Sequence, residues 1–301
     1  MQIGMIGLGR MGQNMCRRLI RNNHEVFVYD LDKITIESLR QIGAKPTNSI
    51  DHLIQSLKKP STIWIMVPSG KETEKVVNKL INLLDKGDYI IDGGNSYYKD
   101  SIRRNNHAEK NKINFLDCGT SGGIWGLKNG YCLTIGGSIK AYNQNLPIFK
   151  SLSPKISDGN LYVGKSGSGH YVKMIHNGIE YGMMQAIAEG FELLSTKKDF
   201  NLDLYSISKN WEQGSVIKSW LLELITSELE NESSISELSS YVEDSGEGRW
   251  TLNEAVELGI PIPVISSSLF ARFRSRQKEP LSGKILSAMR RGFGGHKVEK
   301  L

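Results

Sequence analysis

The sequence predicts an α/β, doubly wound domain over residues 1–165, followed by an all-α domain over residues 166–301. Three observations carry this. Short apolar runs rich in β-branched and aromatic residues recur through the first half with helix-like stretches between them. A glycine-patterned turn joins the first run to the first helical stretch. After Gly164-Lys165-Ser166-Gly167-Ser168-Gly169 the strand runs stop and long helical patterns take over. The length of 301 residues suits two cores. At 39% hydrophobic and 23% charged, the chain has the balance of a folded globular protein, which excludes disorder as its main state.

Taken in order, the strand runs are 3–6, 25–29, 63–67 and 89–91, then 114–118, 131–135 and 161–163; helical patterns cover 11–21, 32–41 and 71–84. Runs this short, apolar on both faces and joined by helices, predict a parallel sheet covered on both sides. Gly7-Leu8-Gly9-Arg10-Met11-Gly12 matches GxGxxG between strand and helix, the context of a Rossmann-type dinucleotide site. Gly7 permits the tight turn, Gly9 lets a pyrophosphate approach the backbone, and Gly12 lets the helix pack on the strand. Asp30 lies 23 residues after Gly7, at the end of the second strand, where a carboxylate accepts hydrogen bonds from the ribose diol of NAD. No arginine follows in Leu31-Asp32 to meet a 2′-phosphate, so NAD is expected rather than NADP. A turn glycine followed by an N-capping Asp32 would account for the parts singly, though not for their joint spacing. Val67, ending the third run, completes the expected cofactor set together with Asn95.

Asp92-Gly93-Gly94-Asn95-Ser96 follows a strand at the carboxyl edge of the sheet, where open α/β folds bind ligands. The same residues also suit a turn that caps the next helix. Cys118-Gly119-Thr120-Ser121-Gly122-Gly123 likewise follows a strand and can form an anion-binding nest or plain structural turns. The long helix predicted over 169–196 places Lys173, His176, Asn177 and Glu180 at i, i+3, i+4 and i+7, with Val172, Met174, Ile175 and Ile179 opposite. Apolar residues and glycines continue beyond the stripe, so the helix is expected to be central and the stripe to line a site rather than a solvated face. Residues 228–240 are polar, acidic and serine-rich, and suit the end of a surface helix.

No basic leader with an apolar core opens the chain and no run spans a membrane, so a cytoplasmic protein is expected. The three cysteines form no CxxC or Cys/His pattern; reduced thiols and no metal site are expected. The net charge of +6 concentrates in the last thirty residues, where nine basic residues face Glu279 and Glu299 for a local +7. That suits a small anionic substrate. A nucleic-acid partner is not expected, because no stacked aromatic platform, helix-turn-helix or RNA-binding pattern accompanies the charge.

Together these motifs resemble the decarboxylating 6-phosphogluconate dehydrogenases within the β-hydroxyacid dehydrogenases. The resemblance rests on residues 7–12, 92–96, 120–123, 169–181, Phe270-Ala271-Arg272 and the tail 290–296. The glycine fingerprint and the Lys173-to-Asn177 element are common to the wider group; His176-Asn177-Gly178-Ile179-Glu180-Tyr181-Gly182, DGGNS and Phe293-Gly294-Gly295-His296 are narrower. The resemblance implies that Lys173 is the general base on the C3 hydroxyl and that Glu180 protonates the enediol after CO2 leaves. It implies that Asn95, Ser121, Gly122, Gly123, His176 and Asn177 hold the carboxylate and hydroxyls. Tyr181 and Arg272 would bind the phosphate, with Arg290 and His296 reaching a neighbouring subunit's site in a homodimer or homotetramer. The chain has room for one helical domain copy, as in the short form. NADP-using members carry Asn-Arg-Thr where this chain has Asp30-Leu31-Asp32, and the long form's KGTGKW is replaced by Ser245-Gly246-Glu247-Gly248-Arg249-Trp250. A non-decarboxylating relative acting on 3-hydroxyisobutyrate would need neither the phosphate-binding residues nor a proton donor at Glu180.

Overall fold

The computed structural model describes residues 1–154, 159–231, 235–295, 297 and 299. The chain divides into two compact units, Met1–His176 and Asn177–Leu301. In the first unit, β1 (Gln2–Ile6), α1 (Arg10–Arg21), β2 (Glu25–Tyr29), α2 (Lys33–Arg40), β3 (Lys45–Pro46) and α3 (Ile50–Gln55) build one half of a sheet. The other half comes from β4 (Thr62–Ile65), α4 (Lys71–Leu83), β5 (Tyr89–Asp92), α5 (Tyr98–Lys110), β6 (Asn114–Ser121), α6 (Gly126–Asn129), β7 (Cys132–Gly137), α7 (Ile139–Leu152) and β8 (Asn160–Gly164). The strand order is β3-β2-β1-β4-β5-β6-β7-β8. The chain reverses direction across the sheet between β1 and β4, which opens a crevice beyond their carboxyl ends.

Alternation along the strands supplies both faces. Ile3, Met5, Trp64, Ile91 and Leu116 join one buried cluster, and Ile6, Ile63, Ile65, Ile90 and Phe115 join the other. The sheet is not wholly parallel: β6 and β7 pair antiparallel, with Leu116 opposite Gly137 and Ser121 opposite Cys132. Only the short α6 segment and its preceding turn join these strands, too little for a parallel crossover. The two-residue β3 escaped the sequence pattern because it carries no apolar run. Cys16 and Cys118 are buried thiols whose ionisation desolvation opposes, and Cys132 is exposed.

Helix α8 (Ser168–Thr196) begins in the first unit and continues into the second. The second unit further contains α9 (Leu204–Trp211), α10 (Trp220–Leu229), α11 (Glu247–Leu258), α12 (Pro263–Ser275) and α13 (Leu281–Gly294). Within it, Gly178 and Gly182 let α8 approach α11 and α12: a Cβ on Gly178 would lie 2.9 Å from Thr251 Cγ2, and one on Gly182 would lie 3.2 Å from Val264 Cγ1. The expected burial of the apolar face of α8 is only partly met. Met174 is buried, whereas Val172 is 39% and Ile179 52% exposed among the described residues. Among the described residues, no helix is long and apolar enough to cross a membrane.

Candidate active site

A cavity of about 1030 Å³ opens at the crevice beyond β1 and β4. Gly7, Leu8, Gly9, Arg10, Met11, Gly12, Asp30, Val67 and Asn95, the nine residues expected to bind cofactor, all line it. Gly7 has φ +93°, and a Cβ on Gly12 would lie 2.1 Å from the Gly7 carbonyl oxygen. A Cβ on Gly9 would instead meet nothing within 4 Å, so it would project into open space. Helix α1 starts at this point with no side-chain cap and no acidic residue in its first turn. Its first amides and partial positive charge therefore suit a pyrophosphate. Asp30 Oδ2 accepts the Leu8 amide at 2.5 Å and Oδ1 accepts the Asp32 amide at 2.8 Å. Asp32 caps α2, accepting from the Ile34 amide and the Thr35 hydroxyl. The capping and ribose interpretations of this acidic pair thus fall on different residues. A dinucleotide fits these groups.

At the carboxyl end of β6 a second group assembles within the first unit. Lys173 Nζ lies 3.3 Å from His176 Nδ1, and His176 Nε2 lies 3.4 Å from Ser121 Oγ. Thr120, next to Ser121, lines the cavity. Close approach of α8 to the sheet makes this possible. A Cβ on Gly119 would lie 2.5 Å from Lys173 Cβ, and one on Gly169 would lie 2.4 Å from the Asp117 carbonyl oxygen. The buried Asp117 carboxylate accepts the Gly167 amide at 2.7 Å and the His170 amide at 2.9 Å, so it caps the start of α8. Thr134 Oγ1 donates to the Gly169 carbonyl at 3.0 Å. Sequence reasoning passed over Asp117 as part of a strand; an acidic residue inside an otherwise apolar buried run was its signal. Gly122 (φ +129°) and Gly123 (φ +52°) follow in left-handed conformations, and the Asn14 side chain holds the carbonyl of Ile124 just beyond them.

The second unit carries the remaining residues. Asn177 and Glu180 continue the spacing of Lys173 and His176 along the unbroken α8. Tyr181 is 6% exposed, and its buried hydroxyl has no hydrogen-bond partner among the described residues. The Arg272 guanidinium stacks 3.5 Å over the Tyr181 ring and donates to the Glu243 carbonyl at 2.9 Å. Arg249 and Arg276 converge instead on Asp244, at 2.9 and 2.7 Å. Hydrogen bonds from Arg249, and secondarily from Arg276, outweigh burial and hold the Asp244 carboxyl at about 2. In Ser245-to-Trp250, Ser245 Oγ donates to Glu247 Oε2 at 2.7 Å. Arg290 is exposed on α13, and His296 lies outside the described residues.

Comparison with known proteins gives a consistent result. Residues 2–164 match the family model of the NAD-binding domain of 6-phosphogluconate dehydrogenase, and residues 169–282 that of its C-terminal domain. The chain is 42% identical over 301 residues to the NAD(+)-dependent, decarboxylating 6-phosphogluconate dehydrogenase of Haloferax volcanii, covering 100% of this chain and 99% of the relative. It is 38% identical over 319 residues to the decarboxylating 6-phosphogluconate dehydrogenase of Staphylococcus aureus, covering 100% of this chain and 67% of the relative. Among solved structures, 6-phosphogluconate dehydrogenase of Plasmodium falciparum superposes with a TM-score of 0.84 at 28% identity, covering 100% of this chain and 66% of that one.

Two outcomes follow from this geometry. Replacing Asp117 by Asn puts an amide where a carboxylate accepts two N–H groups, and urea unfolding should report a loss of about 1–3 kcal/mol. Asp244 has its carboxyl lowered in the folded chain from 3.8 to about 2. Its contribution to stability is therefore complete above about pH 4 and lost as pH falls toward 2. Acid titration of Asp244→Asn should show a shallower loss of stability over that window than the parent.

Proposed function

The chain belongs to the 6-phosphogluconate dehydrogenase family, and from that premise we propose that it converts 6-phosphogluconate to ribulose 5-phosphate and CO2 with reduction of NAD. The observation that carries the proposal is the Lys173–His176–Ser121 chain at the carboxyl end of β6, adjoining a cavity shaped for a dinucleotide. Bound in that cavity, the nicotinamide supplies the hydride acceptor. Lys173 takes the proton of the C3 hydroxyl as C3 is oxidised. His176, in contact with the Lys173 amine, orients it and links it to the Ser121 hydroxyl. The 3-keto acid then loses CO2, because the carbonyl β to the carboxylate accepts the electrons of the breaking bond. Protonated Lys173 assists by donating to the developing oxyanion. Glu180 delivers a proton to C1 of the resulting enediol, which gives ribulose 5-phosphate.

Asn95, Ser121, Gly122, Gly123 and Asn177 are proposed to hold the carboxylate and hydroxyls. Tyr181, whose buried hydroxyl lacks a described partner, and the stacked Arg272 supply donor and charge for the phosphate. Asp30 supports NAD over NADP: its carboxylate would face a 2′-phosphate as a like charge, and neither Leu31 nor Asp32 offsets it. The exposed Val172 and Ile179 on α8 support a homodimer or homotetramer, with Arg290 and His296 as the tail residues completing a neighbour's site. We place the enzyme in the cytoplasm, acting in the pentose phosphate pathway.

Purified protein given NAD and 6-phosphogluconate should produce NADH and CO2 in equal amounts; NADH without CO2 would instead favour a non-decarboxylating β-hydroxyacid dehydrogenase. Lys173→Met should lower turnover by about 10²–10⁴-fold while leaving NAD binding unchanged. Paired replacement of Asp30 by Asn and Leu31 by Arg should shift the ratio of kcat/KM for NAD and NADP toward NADP, read in parallel assays with the two cofactors.

A further inference from the structure

Two loops that wall the cavity are tied together from behind by a residue outside its lining. Arg104, on α5, is 1% exposed. Its Nη1 donates to Asp92 Oδ2 at 3.2 Å and to Ser96 Oγ at 3.3 Å, its Nε to Glu74 Oε2 at 3.0 Å, and its Nη2 to the Gly70 carbonyl at 3.3 Å. Asp92, fully buried at the end of β5, in turn accepts the Ser96 hydroxyl at 2.8 Å and the Gly94 amide at 3.2 Å. The guanidinium thus spans residues 67–70, which follow β4, and 93–96, which follow β5. Both loops border the cavity, the first through Val67, Pro68 and Ser69 and the second through Gly93, Gly94 and Asn95.

Burying a guanidinium and a carboxylate is costly unless geometry and hydrogen bonding are nearly complete. Here both Asp92 oxygens are used, and the Arg104 contacts run to four separate acceptors. A lysine at this place would keep the charge but not the planar fork that reaches acceptors on different elements. Glu74 fixes the outer end of the brace, because Arg103 also grips both of its oxygens, at 2.5 and 2.8 Å.

We infer that Arg104 is a positioning residue, which sets the 93–96 loop through Asp92 and Ser96 and so fixes how the Asn95 amide meets the substrate. The inference rests on the role given to Asn95 above. It differs from a general contribution to stability in what it couples: loss of Arg104 should matter to the substrate only while Asn95 is present.

The test combines kinetics with hydrogen exchange. Arg104→Lys should raise KM for 6-phosphogluconate about tenfold with a smaller change in kcat. In the Asn95→Ala background the same change should alter kcat/KM by less than about twofold. Amide exchange in the ligand-free protein should quicken at residues 93–96 and stay unchanged in β2 and α7. Ser96→Ala, which removes one relay atom and leaves both charges, should give the same pattern more weakly and serves if Arg104→Lys does not fold. An equal kinetic loss in both backgrounds, or unchanged exchange at 93–96, overturns the inference. If the parent protein does not turn over 6-phosphogluconate, the functional proposal fails, and exchange at 93–96 still decides whether the brace exists.

Discussion

The arrangement at the edge of the sheet depends on one buried carboxylate. Asp117 reaches from β6 to the first turn of α8 and satisfies two amides that a helix start would otherwise leave without partners. Lys173 sits six residues beyond Gly167 and three beyond His170, the two residues whose amides Asp117 holds, and there is no slack to adjust, because Gly119 and Gly169 have already removed the side chains that would hold helix and sheet apart. The capping interaction sets the origin of the helix, and the helical repeat then sets the direction of Lys173, His176 and each later residue of the stripe. A polar anchor in an apolar interior is costly to leave unpaired. That cost makes one seating of the helix much better than its neighbours.

Much of the first unit was legible in the sequence, for a physical reason. Buried strands in this sheet must be apolar on both faces, and Ile3-to-Ile6 and Ile63-to-Ile65 declare themselves by composition alone. The fingerprint turn is equally visible, since the needs of Gly7 and Gly12 are steric and local. What escaped depends on partners distant in sequence. Asp117 and Arg104 acquire their meaning from residues on other elements. The antiparallel β6–β7 pair follows from a connection too short for a crossover, and not from any property of either strand. The exposure of Val172 and Ile179 is a matter of quantity: periodicity identifies an apolar face without saying whether the same chain covers it.

The charge of the last thirty residues also divides once structure is considered. Arg276 shares the single Asp244 carboxylate with Arg249 from outside the stretch, so this group of two guanidiniums and one carboxylate keeps one positive charge, held close to its counter-charge. Arg272 is held differently, by a ring face and a backbone carbonyl, neither of which cancels its charge. The formal excess of +7 is therefore unevenly distributed rather than reduced, and the placement of counter-charges decides which guanidinium stays most open to a ligand's charge.

With the role proposed for Asp30, its double attachment ties cofactor choice to the integrity of the turn. Its two oxygens fasten the Leu8 amide of the glycine turn and the Asp32 amide at the head of the next helix. The carboxylate is consequently aimed before any ligand arrives, at little entropic cost on binding. An evolutionary exchange of this residue would loosen a joint as well as change the charge presented to the cavity. If that proposed role holds, a lineage changing dinucleotide at this position would have to repair the turn in the same steps, so the path is narrower than a single change of charge suggests.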